Sequence, residues 1–181
     1  MRGMGVILGL SFFSLGIAFP LFGAEPVGIF EDSVDIGDPS IPGFAKFQDG
    51  KYTVDAVGET IGLESFSDQF HFVYKKMTGS FAIQGTPVPL DNVGRGGLMI
   101  RQDLDPDSVH ASLMLTSEAA KEWEEALEFS VFPCFRSFKG GTTKRQGDPE
   151  PGGLTNSHTG PIRLERIGNS FYYYTFNTTG K

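Results

Sequence analysis

Apolar and polar residues alternate over most of the chain, in short runs broken by turn formers. The clearest case is Gly94 to Thr116, where Leu98 to Gln102 and Val109 to Thr116 flank the polar stretch Asp103-Leu104-Asp105-Pro106-Asp107-Ser108. Two apolar-rich runs around a polar loop predict a β-hairpin. A symmetric loop sets Arg101 opposite His110, Ile100 opposite Ala111 and Leu98 opposite Leu113. Side chains alternate along a strand, so these apolar pairs face one side, and Met99, Arg101, His110, Ser112 and Met114 face the other.

The same period recurs elsewhere. Ala45 to Val57 carries Asp49-Gly50 between alternating runs, the strongest short hairpin signal, because a type I′ turn needs positive φ at both central positions. Phe70, Phe72 and Tyr74 alternate with His71, Val73 and Lys75, which reads His71 as a partly exposed strand residue. Phe81 and Ile83 point together. Ile162 to Ile167 and Phe171 to Phe176 form a further hairpin through Gly168-Asn169, with Phe171, Tyr173 and Thr175 on one face and Tyr172, Tyr174 and Phe176 on the other. Leu127, Phe129 and Val131 predict a strand that Pro133 ends or bulges. One segment breaks the pattern: Ser117 to Leu127 is rich in helix formers after a serine cap and predicts a short helix of about two or three turns. Lys139 to Gly160 reads as a long mobile loop. Its Gly140-Gly141-Thr142-Thr143-Lys144 lacks the spacing of a phosphate-binding loop.

Composition agrees with this picture. The 181 residues include 24 Gly, 11 Pro and 17 Phe, which favours short strands and tight turns in one domain large enough to bury a core. A net charge of -7 repels phosphate backbones and excludes nucleic acid as a natural partner. Val6 to Phe22 is an apolar run after Arg2, with small residues at Gly23-Ala24, so residues 1–24 read as a secretory signal peptide and the remainder, 25–181, as an exported domain with no stable membrane span after cleavage. An uncleaved N-terminal anchor is the alternative. Cys134 is the single cysteine, so no intrachain disulfide can form, and it reads as a small buried hydrophobe.

Candidate chemistry is sparse. Glu31, Asp32, Asp35 and Asp38 could collect calcium, but they match no EF-hand loop, and a solvated edge strand is the favoured reading; no cofactor is assigned. The three histidines lack metal-ligand spacing.

GGLMIRQDLDPDSVHASLML and PIRLERIGNSFYYYTFNTTG, preceded by FEDSVDIGDPSIPGFAKFQDGKYTV and FHFVYKKMTGSF, resemble the laminin-G-like, concanavalin A-like jelly-roll domains of exported bacterial proteins. The resemblance covers residues 30–178. It implies an all-β, two-sheet antiparallel sandwich, a fold that hosts lectins, glycosidases and structural modules. Such domains usually continue past the last hairpin, so the domain is expected to lack its last strand or strands. They also tend to carry a short turn where this chain has its Glu-rich segment, Glu118 to Glu128.

Glycosidases of that fold carry Glu-x-Asp-x-x-Glu on a strand. The motif is absent, and Glu122-Trp123-Glu124-Glu125 has the wrong order, so the expectation is a non-catalytic module that binds carbohydrate or glycoconjugate. Its candidate ligand contacts are Arg101, His110, Tyr172 and Tyr174. For Arg101 and His110 a cross-strand polar pair with Glu165 nearby is the competing reading, and for the tyrosines it is inter-sheet packing. A structural or interaction domain without a small ligand fits the same features.

Overall fold

The computed structural model describes residues 4–9, 26–58, 64–88, 95–117, 129–146 and 160–176. They form an all-β structure, with no helix among the described residues. In chain order the strands are β1 Met4–Gly9, β2 Asp32–Ile36, β3 Phe44–Gln48, β4 Lys51–Asp55, β5 Phe70–Tyr74, β6 Lys76–Met77, β7 Phe81–Gly85, β8 Arg95–Arg101, β9 His110–Ser117, β10 Phe129–Arg136, β11 Lys144–Arg145, β12 Ile162–Ile167 and β13 Ser170–Thr175. Every pairing is antiparallel. The principal sheet has the order β11-β10-β9-β8-β1-β6, a second has β13-β12-β7, and β2-β5 and β3-β4 pair separately.

The predicted central hairpin forms in the expected register, with Arg101 opposite His110, Ile100 opposite Ala111 and Leu98 opposite Leu113. One face of β8 and β9 packs on β12, burying Leu98, Ile100, Leu113 and Leu115 with Ile162 and Leu164. Phe81, Ile83, Phe171 and Tyr173 close this core from β7 and β13. The opposite face of the hairpin is buried as well. Met99 joins Phe70, Phe72, Tyr74 and Ile36, while Met114 joins Phe132 and Cys134. A fourth cluster places Val27, Phe30 and Val54 against Val73 on the other side of β5.

The turns behave as their residues dictate. Asp49 and Gly50 have φ of 52° and 75°, the pair of positive angles that a type I′ hairpin requires. Gly168 alone turns positive between β12 and β13, at 60°, as glycine at the first central position of a type II′ turn does.

Three expectations change. Strand β10 runs unbroken through Pro133, which pairs with Leu113. Its carbonyl accepts from Gln146 N on the β11 side at 2.9 Å. The nitrogen that lacks a proton therefore faces β11, and the ladder to β9 loses nothing. The start of the expected long loop is structured too: Gly141 and Thr143 are buried, and Lys144–Arg145 pairs with β10. His71 is buried rather than partly exposed, because Gly43 lies against its ring and its Nδ1 donates to Asp35 at 2.7 Å.

The short helix expected to start at Ser117 falls, beyond Ser117 itself, outside the described residues; Ser117 ends β9. Within residues 1–24, which read as an export signal, Met4–Gly9 forms β1, paired with β8 on one side and β6 on the other. Residues 10–24 lie outside the described set. No helix among the described residues is long and apolar enough to cross a membrane.

Candidate functional site

Two constellations carry the polar and aromatic chemistry. The first lies at the loop end of β8, β9 and β10. The loop from Asp103 to Ser108 braces itself: Asp105 N donates to Asp103 Oδ1 at 3.1 Å, Asp103 N to Ser108 Oγ at 3.1 Å and Ser108 N to Asp105 O at 3.0 Å. Asp and Ser suit this role because their short side chains bond to nearby backbone. Arg101 reaches back under the loop and donates to the carbonyls of Asp103 and Asp105.

Arg136, opposite His110 on β10, has the same parity as buried Phe132 and Cys134 and points into the same layer. Its Nη1 and Nη2 meet Asp68 at 3.0 and 2.7 Å. The remaining contacts go to the carbonyls of Gly141, Pro106, Ser108 and Ser65. This one guanidinium thereby ties together the loops holding Ser65, Pro106 and Gly141. Arg101 Nη1 stands 3.6 Å from the same Asp68, and the side chains of all three are 0% exposed.

Burial raises the Asp68 carboxyl above its ordinary range, against the pull of Arg136 and then Arg101. Burial also pulls the Arg101 guanidinium down to about 10, which leaves it charged at neutral pH. His110 sits in this layer with Nε2 3.2 Å from Thr143 Oγ1 and, among the described residues, no partner for Nδ1. Burial first, then Arg136 and Arg101, lowers its pKa to about 3, so it is neutral.

Arg101 and His110, expected as ligand contacts, lie inside this layer rather than on an open face. Both are buried, and Arg101 spends its donors on loop carbonyls. They do form the cross-strand pair, but the nearby carboxylate is Asp68. Glu165 bonds instead to Arg163, at 3.0 Å, in the second sheet. Asp68 and Arg136 escaped the sequence reading. The parity of Phe132, Cys134 and Arg136 along one strand was the available signal for the arginine, while nothing in Ser67-Asp68 announces its partner.

The second constellation is the outer face of β7, β12 and β13. Alternation sends Phe171 and Tyr173 inward and leaves Tyr172 and Tyr174 outward, at 44% and 38% exposed. Phe176, 45% exposed, continues the row, and its ring stacks on Tyr174 with centroids 6.4 Å apart and planes 17° apart. Tyr172 stands opposite Glu165 and Tyr174 opposite Arg163, with Ala82 and Gln84 of β7 beyond them. Exposed rings beside a guanidinium, a carboxylate and an amide can stack on an apolar ring face and hydrogen-bond its polar edge.

The acidic strand near the N-terminus is occupied by protein contacts. Asp32 accepts from Ser33 N, Asp35 accepts from Gly43 N and His71, and Glu31 accepts from Lys76 N. Among the described residues no three His, Cys, Asp or Glu side chains converge as a metal site. Cys134 is buried, and desolvation lifts its thiol to about 11.

Fold and site together define an all-β class of several antiparallel sheets, with an open aromatic row on β13 among the described residues. No protein-family model, curated protein or solved structure matches the chain.

Proposed function

We propose that the chain is an exported, non-catalytic jelly-roll module of the concanavalin A-like kind, and that it binds carbohydrate or glycoconjugate on the outer face of β7, β12 and β13. The observation that carries this reading is the exposed row Tyr172, Tyr174 and Phe176, with the two tyrosines held on a paired strand and Phe176 tied just beyond its end by its N–H to the Pro161 carbonyl. Aromatic rings expose large apolar area on a side chain with few rotatable bonds, so little conformational entropy is lost when a sugar stacks on them. Arg163, Glu165 and Gln84 supply donors and acceptors at the rim. Glycoside hydrolysis needs two carboxylates about 5 Å apart or, for inversion, about 6.5–9.5 Å apart. Among the described residues of this face Glu165 is the one carboxylate, which favours binding over hydrolysis.

Affinity electrophoresis of the protein through gels containing soluble polysaccharides tests the proposal. Retardation by at least one polysaccharide, weakened about tenfold in Tyr174→Ala and in Tyr172→Ala, is the expected result, since one stacked ring contributes on the order of 1 kcal/mol or more. Unretarded migration in every gel, or equal retardation of wild type and both variants, overturns it.

A further inference from the structure

Strand β1 has an unusual position for the segment that composes it. Its sequence lies at the start of the run that reads as a removable signal, yet it is an interior strand of the principal sheet. On one side it pairs with β8 from Gly5 opposite Arg101 to Gly9 opposite Gly97, and on the other with Lys76 and Met77 of β6. The surroundings are built for an interior strand. Gly96, Gly97, Leu98, Met99, Ile100 and Arg101 are all buried. Met99 on β8 and the rings of Phe72 and Tyr74, on the strand leading into β6, belong to one apolar cluster. Arg101 from β8 lies 5.4 and 5.8 Å from the ring centroids of Phe70 and Phe72.

Without β1, the backbone groups of β8 that point away from β9 would lose their partners in a buried setting, which proteins do not leave open. Removal of residues 1–24 therefore does more than trim a leader: it vacates a place in a ladder. We infer that the gap between β8 and β6 is a strand-accepting slot which, once residues 1–24 are cut away, binds an extended apolar segment of another polypeptide antiparallel to β8. This is recognition by strand addition, in which main-chain bonds give affinity and alternate side-chain positions give selectivity.

The register states what the donated strand looks like. Glycines occupy the positions facing Arg101 and Gly97, and Val6, Ile7 and Leu8 face Ile100, Met99 and Leu98. The arginine side chain reaches from β8 towards the rings of β5, so bulk at the position opposite Arg101 is disfavoured. A fitting segment thus has three apolar residues between two small ones. The inference rests on the export reading only for how the slot becomes vacant, and it is independent of the aromatic face.

The test uses the full chain with a protease site inserted between Ala24 and Glu25, cut after folding. The cut segment is expected to remain with the body through gel filtration and to be displaced by a labelled decapeptide of residues 2–11. The same peptide carrying Ile7→Pro, which removes a ladder N–H, should compete at least about tenfold less well, as should Gly5→Leu. Amide exchange over Gly96–Arg101 reads the slot directly: protection falls when the segment is removed and returns with the native peptide. If the cut chain unfolds, refolding by the native peptide and not by the proline peptide supports the slot, and refolding by neither overturns it. Unchanged exchange after the segment has left, or equal competition by native and proline peptides, also overturns it. Export is read separately by N-terminal sequencing of protein recovered outside the cytoplasm; retained Met1 refutes cleavage and leaves the slot measurement standing.

Discussion

Asp68 takes the guanidinium of Arg136 at two points, 2.7 and 3.0 Å, and neither side chain is exposed to solvent. A two-point, charge-assisted contact is strong, but desolvating both ions offsets much of the gain. The pair matters most through what its loss leaves behind. Arg136→Ala strands Asp68 beside Arg101 alone and frees the carbonyls of Ser65, Pro106, Ser108 and Gly141. Asp68→Ala leaves two buried cations. Each is expected to lower stability by about 3–5 kcal/mol in urea unfolding. The double variant should cost less than the sum of the two, because the second change removes a charge the first has stranded.

His110 gives the fold a pH dependence of known sign. The folded state resists protonating it until about pH 3, whereas the unfolded chain takes up that proton near the ordinary value of 6.5. Its contribution to stability is thus complete above about 6.5 and is lost as pH falls towards 3. Asp68 acts oppositely, since a carboxyl raised by burial binds its proton earlier in the folded state. Comparing wild type with His110→Gln isolates the histidine: the wild type should lose stability relative to the variant as pH drops from about 7 to about 4. Parallel curves would contradict the assignment.

Cys134 should be silent in the native protein. At 2% exposed, with its thiol lifted to about 11, it presents almost no thiolate near neutral pH. An aromatic disulfide reagent is expected to label it only at the rate of unfolding, and promptly in denaturant. Fast labelling of the native protein would show that β10 opens locally.

Gly97 marks a close approach between β8 and β9. A Cβ there would lie 2.2 Å from the carbonyl oxygen of Leu113. Gly97→Ala must push the two strands apart and is expected to cost about 1–3 kcal/mol, read as a lower thermal midpoint. By contrast, a Cβ at Gly79 meets nothing within 4 Å, although its φ of 79° still disfavours a side chain. Gly79→Asn, which tolerates that angle, should change the midpoint little.

The central hairpin was legible to the residue because loop symmetry and alternation fix register together. Alternation also assigned sides correctly, with Met99, Arg101, His110 and Ser112 opposite the Leu98 face. It could not say whether that second side is wet. A strand covered on both faces usually reads as a continuous apolar run, but here polar His71, Arg101 and His110 sit on covered faces and mimic the alternation of a half-exposed strand, which is why they read as more accessible than they are. Tyr172 and Tyr174 were legible as a pair on one face, and their exposure depended on which side of β13 the core took. Asp68 and Arg136 meet across 68 positions of sequence, and no local pattern encodes such a meeting. The six residues of β1 read equally as a strand or as the approach to the apolar middle of an export signal, since a short apolar stretch serves in either.

Pro133 bears on how the molecule behaves in a crowded solution. Its proton-less nitrogen lies on the flank of β10 that β11 covers over Cys134 and Phe135. An incoming strand of another molecule that tried to extend the principal sheet along this flank would find one donor missing midway and a two-residue strand already in place. Sheet-to-sheet growth, the usual route from an exposed edge to insoluble fibres, is thereby discouraged at this border of the fold.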